Sequence, residues 1–191
     1  MEQLQLFFEL GLTHVLDING YDHILFLAAL AAPYVFSNWK KILFLVTIFT
    51  IGHTISLVLS SYNIVKINSD LVEFLIPVTI AITALYNIFF SAKPIKDTKV
   101  GVVFFITLFF GIIHGLGFSN YFKMIIGSES NKFLPLIEFA LGVEVAQVII
   151  VLVVLLLGSL VQNVLNVSKR IWVVTLSSII IGLVIPMLLT R

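Results

Sequence analysis

Four histidines and a few carboxylates carry the chemistry available to this chain. His14 stands eight residues before Asp22 and nine before His23 in GLTHVLDINGYDHILFL. His53 follows a glycine in FTIGHTISL, His114 lies between glycines in FGIIHGLGFS, and Glu138, Glu144 and Gln147 share one apolar run. There is no cysteine, which excludes a disulfide, a thiolate metal site and a cysteine nucleophile. Imidazole combined with carboxylate suits a divalent transition metal such as nickel, cobalt or zinc. The question is which elements could bring these residues together.

Of the 191 residues, 60% are hydrophobic and only 11% charged, with mean hydropathy +1.14. A soluble domain carries roughly a quarter charged residues, so the composition is that of an integral membrane protein. The net charge of +1 gives no basic face for nucleic acid. A spanning helix needs about 20 mainly apolar residues. Six stretches qualify: 20–36, 41–61, 71–91, 100–119, 133–158 and 170–189. The expected fold is an all-α polytopic membrane helix bundle, with residues 1–191 forming one transmembrane domain. No internal repeat is evident, and the composition leaves room for a homo-oligomer.

The N-terminal MEQLQLFFELGLTH lacks the basic region and cleavage pattern of a signal peptide. Its apolar residues at helical spacing suggest a short interfacial helix, the alternative being a seventh span over 3–19. Lys40, Lys41, Lys93, Lys96, Lys99, Lys169 and Arg170 flank one set of helix ends, against Lys66, Lys123 and Lys132 at the other. By the positive-inside rule the first set is cytoplasmic, and with six spans both termini face outward. The expected location is the cytoplasmic membrane of a prokaryote.

On this map every histidine falls in the outer half of the bilayer, with Asp17 and Asp22 beside His14 and His23. Glu73 opens the third span, and Glu138, Glu144 and Gln147 follow the start of the fifth. The inner half is nearly all apolar. A charged residue at the bilayer centre costs about 2.5–3.5 kcal/mol on insertion scales. Converging on a cation would offset that cost. Gly111 with Gly115, and Gly52 with Ser56 and Ser60, are small-residue steps that let helices approach closely.

Geometry limits the set. His14 and Asp22 would lie about 12 Å apart along a continuous helix, so a bend is needed, and Asp17-Ile-Asn-Gly20 supplies turn residues. Asp22 and His23 diverge on a helix, so one can ligate while the other orients a neighbour. Glu144 and Gln147 share a face. Pro77 could kink the third span toward the site. His14, Asp22, His23, His53, His114 and Glu144 are the candidate metal ligands, with Glu73, Gln147, Glu138 and Asp17 supporting them. The 17 phenylalanines read as lipid-facing or packing residues.

Taken together, GLTHVLDINGYDHILFL (11–27), FTIGHTISL (49–57), FGIIHGLGFS (110–119) and FALGVEVAQ (139–147) resemble the HupE/UreJ membrane family. These are small proteins associated with nickel supply to hydrogenase and urease. The resemblance implies a metal-handling permease, nickel or cobalt being its first candidate ions. The family's histidines and acids correspond here to His14, Asp22, His23, His53, His114 and Glu144, with Glu73 and Gln147 as companions. The interval from His14 to Asp22 is longer than usual in the family. Ala140 stands where an asparagine commonly precedes the Gly-Val-Glu element.

Two functions follow. A transporter would capture a divalent ion and pass it inward, though the inner half offers only hydroxyls such as Thr47, Thr83 and Thr107. A zinc-type hydrolase or transferase at the outer leaflet would hold its metal on three histidines. A bound water would fill the open position, with Glu144 or Asp22 as general base.

Overall fold

The computed structural model describes residues 2–66, 68–91, 100–127 and 131–190. Lys93, Lys96 and Lys99, which entered the orientation argument, lie outside them. The described residues form seven α-helices: α1 (Glu2–Leu16), α2 (Asp22–Ala31), α3 (Trp39–Ser61), α4 (Ser69–Phe90), α5 (Val100–Ile126), α6 (Phe133–Asn163) and α7 (Lys169–Leu189). A 3-10 turn, Phe36–Asn38, leads into α3. Helices α3 to α7 are long and apolar enough to cross a membrane. Two of the expected spans are extended, α5 running to Ile126 and α6 to Asn163. Pro77 lies inside α4, which continues through it.

The N-terminal third departs most from expectation. In place of a span over 20–36, a ten-residue helix ends at Ala31. The segment expected to be interfacial instead packs lengthwise on α6. Ring contacts fix its direction. Phe7 meets Phe122, His14 meets Phe118, and Phe26 meets Phe110. The chain from α1 into α2 therefore descends α5 in reverse order, with only residues 17–21 interrupting it. At the far end Asn87, near the C-terminus of α4, donates to the Ala29 carbonyl (2.7 Å). Helices α1 and α2 are thus two halves of one broken helix, not a hairpin.

The break falls at the expected turn residues. Asp17 Oδ1 accepts the Asn19 backbone N–H (2.9 Å), an Asx turn, and Ile18 is 80% exposed. Lys132 Nζ donates to the Ser61 carbonyl and Lys123 Nζ to Asn63 Oδ1. The C-termini of α3 and α5 and the N-termini of α4 and α6 therefore share one end of the bundle. Phe7 places the start of α1 at that same end.

Two glycine crossings hold the helices together. A Cβ on Gly52 would strike the Leu108 carbonyl oxygen, and one on Gly111 would strike that of Phe49, so α3 and α5 touch backbone to backbone. Gly115 sits as tightly against Ser56 and His53. Helices α1 and α6 cross alike, Gly11 against the Phe139 carbonyl and Gly142 against that of Phe8. Such close approach adds dispersion contacts where lipid supplies no hydrophobic drive between helices.

Candidate metal centre

Four helices converge at the break. The last turn of α1 delivers His14, the first turn of α2 delivers His23, and α3 and α5 deliver His53 and His114. One ring nitrogen each from His14, His23 and His53 lie within 4.8 Å of one another. Nitrogen ligands at about 2.0–2.1 Å from a tetrahedral ion would be ~3.3 Å apart, so a closure of at most about 1.5 Å would complete three-fold ligation. The His114 ring centroid lies 5.3 Å from that of His23. His114 is outside the group of three but borders it.

Hydrogen bonding separates the engaged ring nitrogens of His23 and His114 from the free ones. Asp22 Oδ1 accepts both the His23 backbone N–H (2.8 Å) and its Nδ1–H (2.9 Å). Of the adjacent pair, Asp22 thus holds the ring of His23. His114 Nδ1 donates to the Phe110 carbonyl (2.8 Å), which can only accept. In both rings Nε2 is left with its lone pair. The Nε2 atoms of His14, His23 and His114, and both nitrogens of His53, are buried without a hydrogen-bond partner. An unsatisfied buried polar group costs about 1–3 kcal/mol. A shared cation would relieve several of these costs together.

Phenylalanines wall the cluster. Phe118 lies against His14 (3.8 Å between centroids), Phe139 stacks on His53 (6.0 Å), and Phe26 and Phe49 each lie 5.1 Å from His114. Sequence reasoning assigned all the phenylalanines to packing or lipid. Their helical spacing gives no sign that four of them line the site. Low-dielectric walls strengthen the field that a cation and its ligands exert on one another.

Glu144 and Gln147 occupy a neighbouring cluster. Thr47 Oγ1 donates to Glu144 Oε1 (2.6 Å), Thr50 Oγ1 contacts Glu144 Oε2, and Thr50 Oγ1 lies 2.9 Å from Gln147 Oε1. Glu144 and Gln147 do share a face. Thr47 and Thr50 precede His53 along α3, so this oxygen-rich cluster lies deeper from the 127–132 end than the imidazoles. Thr47 was foreseen as a polar position in the inner half, whereas the Thr50 link to Glu144 was not.

The supporting candidates scatter. Glu138 is buried on α6, Glu73 and Asp17 are exposed, and Asp17 is engaged in the turn at the break. A groove of about 390 Å³ runs along α3 and α6, lined by Thr47, Thr50, Ile51, Thr54, Val58 and Ala140 among others.

Fold and site together define a polytopic helical membrane protein with a buried cluster of imidazoles. The whole chain, residues 1–191, matches the HupE / UreJ protein family and belongs to it. No curated protein and no solved structure matches the chain closely enough to add to that assignment.

Proposed function

We propose that this protein transports a divalent transition-metal ion, nickel or cobalt, across the cytoplasmic membrane of a prokaryote. The observation that carries this reading is the set of buried, unpartnered imidazole nitrogens meeting at the break of the α1–α2 helix. Discontinuous helices in transporters form ion sites within the bilayer, where unwound backbone is tolerated because it lines the site. Counting α1–α2 as one span gives six, with both termini outside and the histidines nearer the outer face. Neutral imidazoles with the Asp22 carboxylate behind them suit nickel, cobalt or zinc better than magnesium or calcium. His14, His23 and His53 hold the ion, His114 is the fourth nitrogen, and Glu144 with Thr47 and Thr50 lies on its inward course. The association of the HupE/UreJ family with nickel supply agrees with this choice of cargo.

One observation favours a second reading. The groove on α3 and α6 could admit an acyl chain beside Thr50 and Thr54, which flank His53. A metal-dependent hydrolase or transferase acting on lipid would need such access, with Glu144 or Asp22 as its base.

Proteoliposomes test the two. Saturable uptake of Ni²⁺ or Co²⁺ that is lost in His53→Ala and His114→Ala is the expected result. Wild-type protein that binds metal stoichiometrically but moves none would exclude transport and promote the enzyme.

A further inference from the structure

The two glycine crossings obey one rule. In each, a glycine meets the carbonyl oxygen of the residue three before the partner glycine: Gly11 with Phe139, Gly142 with Phe8, Gly52 with Leu108, Gly111 with Phe49. Helices α1 and α6 run one way and α3 and α5 the other. The sequences agree across this inversion. Gly11, His14, Leu16 and Tyr21 recur one hundred residues on as Gly111, His114, Leu116 and Tyr121. Phe49 and Gly52 of α3 recur as Phe139 and Gly142 of α6.

The third helices agree independently. Asn68 caps α4 by accepting from Leu71 N–H (3.1 Å), and Ser168 caps α7 by accepting from Ile171 N–H (3.4 Å). In the register those caps set, Pro77, Ile80, Ala84 and Asn87 are buried, as are Ser177, Ile180, Val184 and Met187. Helix by helix, α1–α2, α3 and α4 correspond to α5, α6 and α7 with direction reversed. The packing thus bears out a repeat that only a few scattered residues mark in the sequence.

The halves differ at the break. The chain breaks at Asp17-Ile-Asn-Gly-Tyr21, whereas α5 runs unbroken through the corresponding Gly117-Phe-Ser-Asn-Tyr121. Asn19 is exposed, and its counterpart Ser119 is 1% exposed, donating to the Leu116 carbonyl (2.6 Å). Gly117, Ser119 and Asn120 are weak helix formers suited to a turn.

We infer that the chain is a three-plus-three inverted repeat with exchanged partners, and that it has a second state in which α5 opens at Gly117–Tyr121 while the α1–α2 break closes. Inverted repeats in unlike conformations provide alternating access when they trade conformations. The equivalent residues His14 and His114 both face the central cluster, so one site serves both states. This deepens the transport reading and rests on it for its purpose.

The absence of native cysteine makes single thiols clean reporters. In proteoliposomes, Asn19→Cys and Ser119→Cys are treated with a membrane-impermeant maleimide from either side, with and without Ni²⁺, and uptake is followed in parallel. Labelling from opposite faces, with nickel changing the two rates several-fold in opposite directions, is expected. Ser119→Cys that binds nickel yet stays unlabelled from both faces in every condition overturns the second state. Absent uptake alongside reciprocal labelling would sink transport and leave the two states standing.

A second variant does not depend on labelling. Asn120 Nδ2 lies 2.9 Å from Ser69 Oγ, so these positions are neighbours, and Ser69→Cys/Asn120→Cys, once loss of both free thiols verifies its disulfide, ties the end of α5 to α4. Oxidised, it is expected to bind nickel without moving it, and reduction is expected to restore uptake. Uptake by the oxidised form at the reduced rate would refute the exchange.

Discussion

At the scale of residues, Asp22 is the group that would turn a set of buried histidines into a metal centre. Its carboxylate fixes the His23 ring through Nδ1 and leaves Nε2 buried with a free lone pair. Removing such an orienting partner typically lowers metal affinity by about 10–100-fold. Asp22→Ala should therefore lose about that much Ni²⁺ affinity by isothermal titration calorimetry. Asp22→Asn keeps an acceptor for the Nδ1 proton but loses the charge, so its loss should be smaller. Equal losses would mean that charge, not ring orientation, is what Asp22 supplies. That one of Asp22 and His23 could orient the other was legible because neighbours on a helix diverge. The aromatic walls and the Thr50–Glu144 contact were not, since both depend on which helix faces which.

At the scale of elements, glycine contact and glycine position can be told apart. A methyl group on Gly142 would collide with the Phe8 carbonyl, and backbone cannot move aside as a side chain can. Overpacking of this kind costs typically about 1–3 kcal/mol. Gly182, on α7, has open space around its would-be Cβ. Gly182→Ala should gain up to about 1 kcal/mol from helix propensity alone. Thermal unfolding in detergent should lower the Tm for Gly142→Ala and leave it unchanged or higher for Gly182→Ala. A matching fall in both would mean that the crossing contributes nothing specific. The long helices and the turn at 17–21 were readable from apolar run length and turn chemistry. The role of α1 was not, because Glu2, Gln5 and Glu9 along an apolar stripe describe an interfacial helix as well as one packed on α6.

At the scale of the whole molecule, the fate of the N-terminus follows from α1 and α2 being one broken helix. A complete seventh span over 3–19 would reverse direction before α2 and leave the start of the chain beside the Lys40–Lys41 end. The observed order of contacts, Phe7 on Phe122 and then Phe26 on Phe110, puts Gln5 at the opposite end, with the C-termini of α3 and α5. The lysine bias predicts that end to lie outside, because retaining Lys and Arg in the cytoplasm sets orientation. In intact cells, Gln5→Cys should react with a membrane-impermeant maleimide, while Ser37→Cys, exposed ahead of α3, should react only after permeabilisation. The reverse pattern would invert the molecule and turn the proposed import into export. Reaction of both thiols in intact cells would break the pairing of α1 with α6, and the shared imidazole site would lose its first ligand with it.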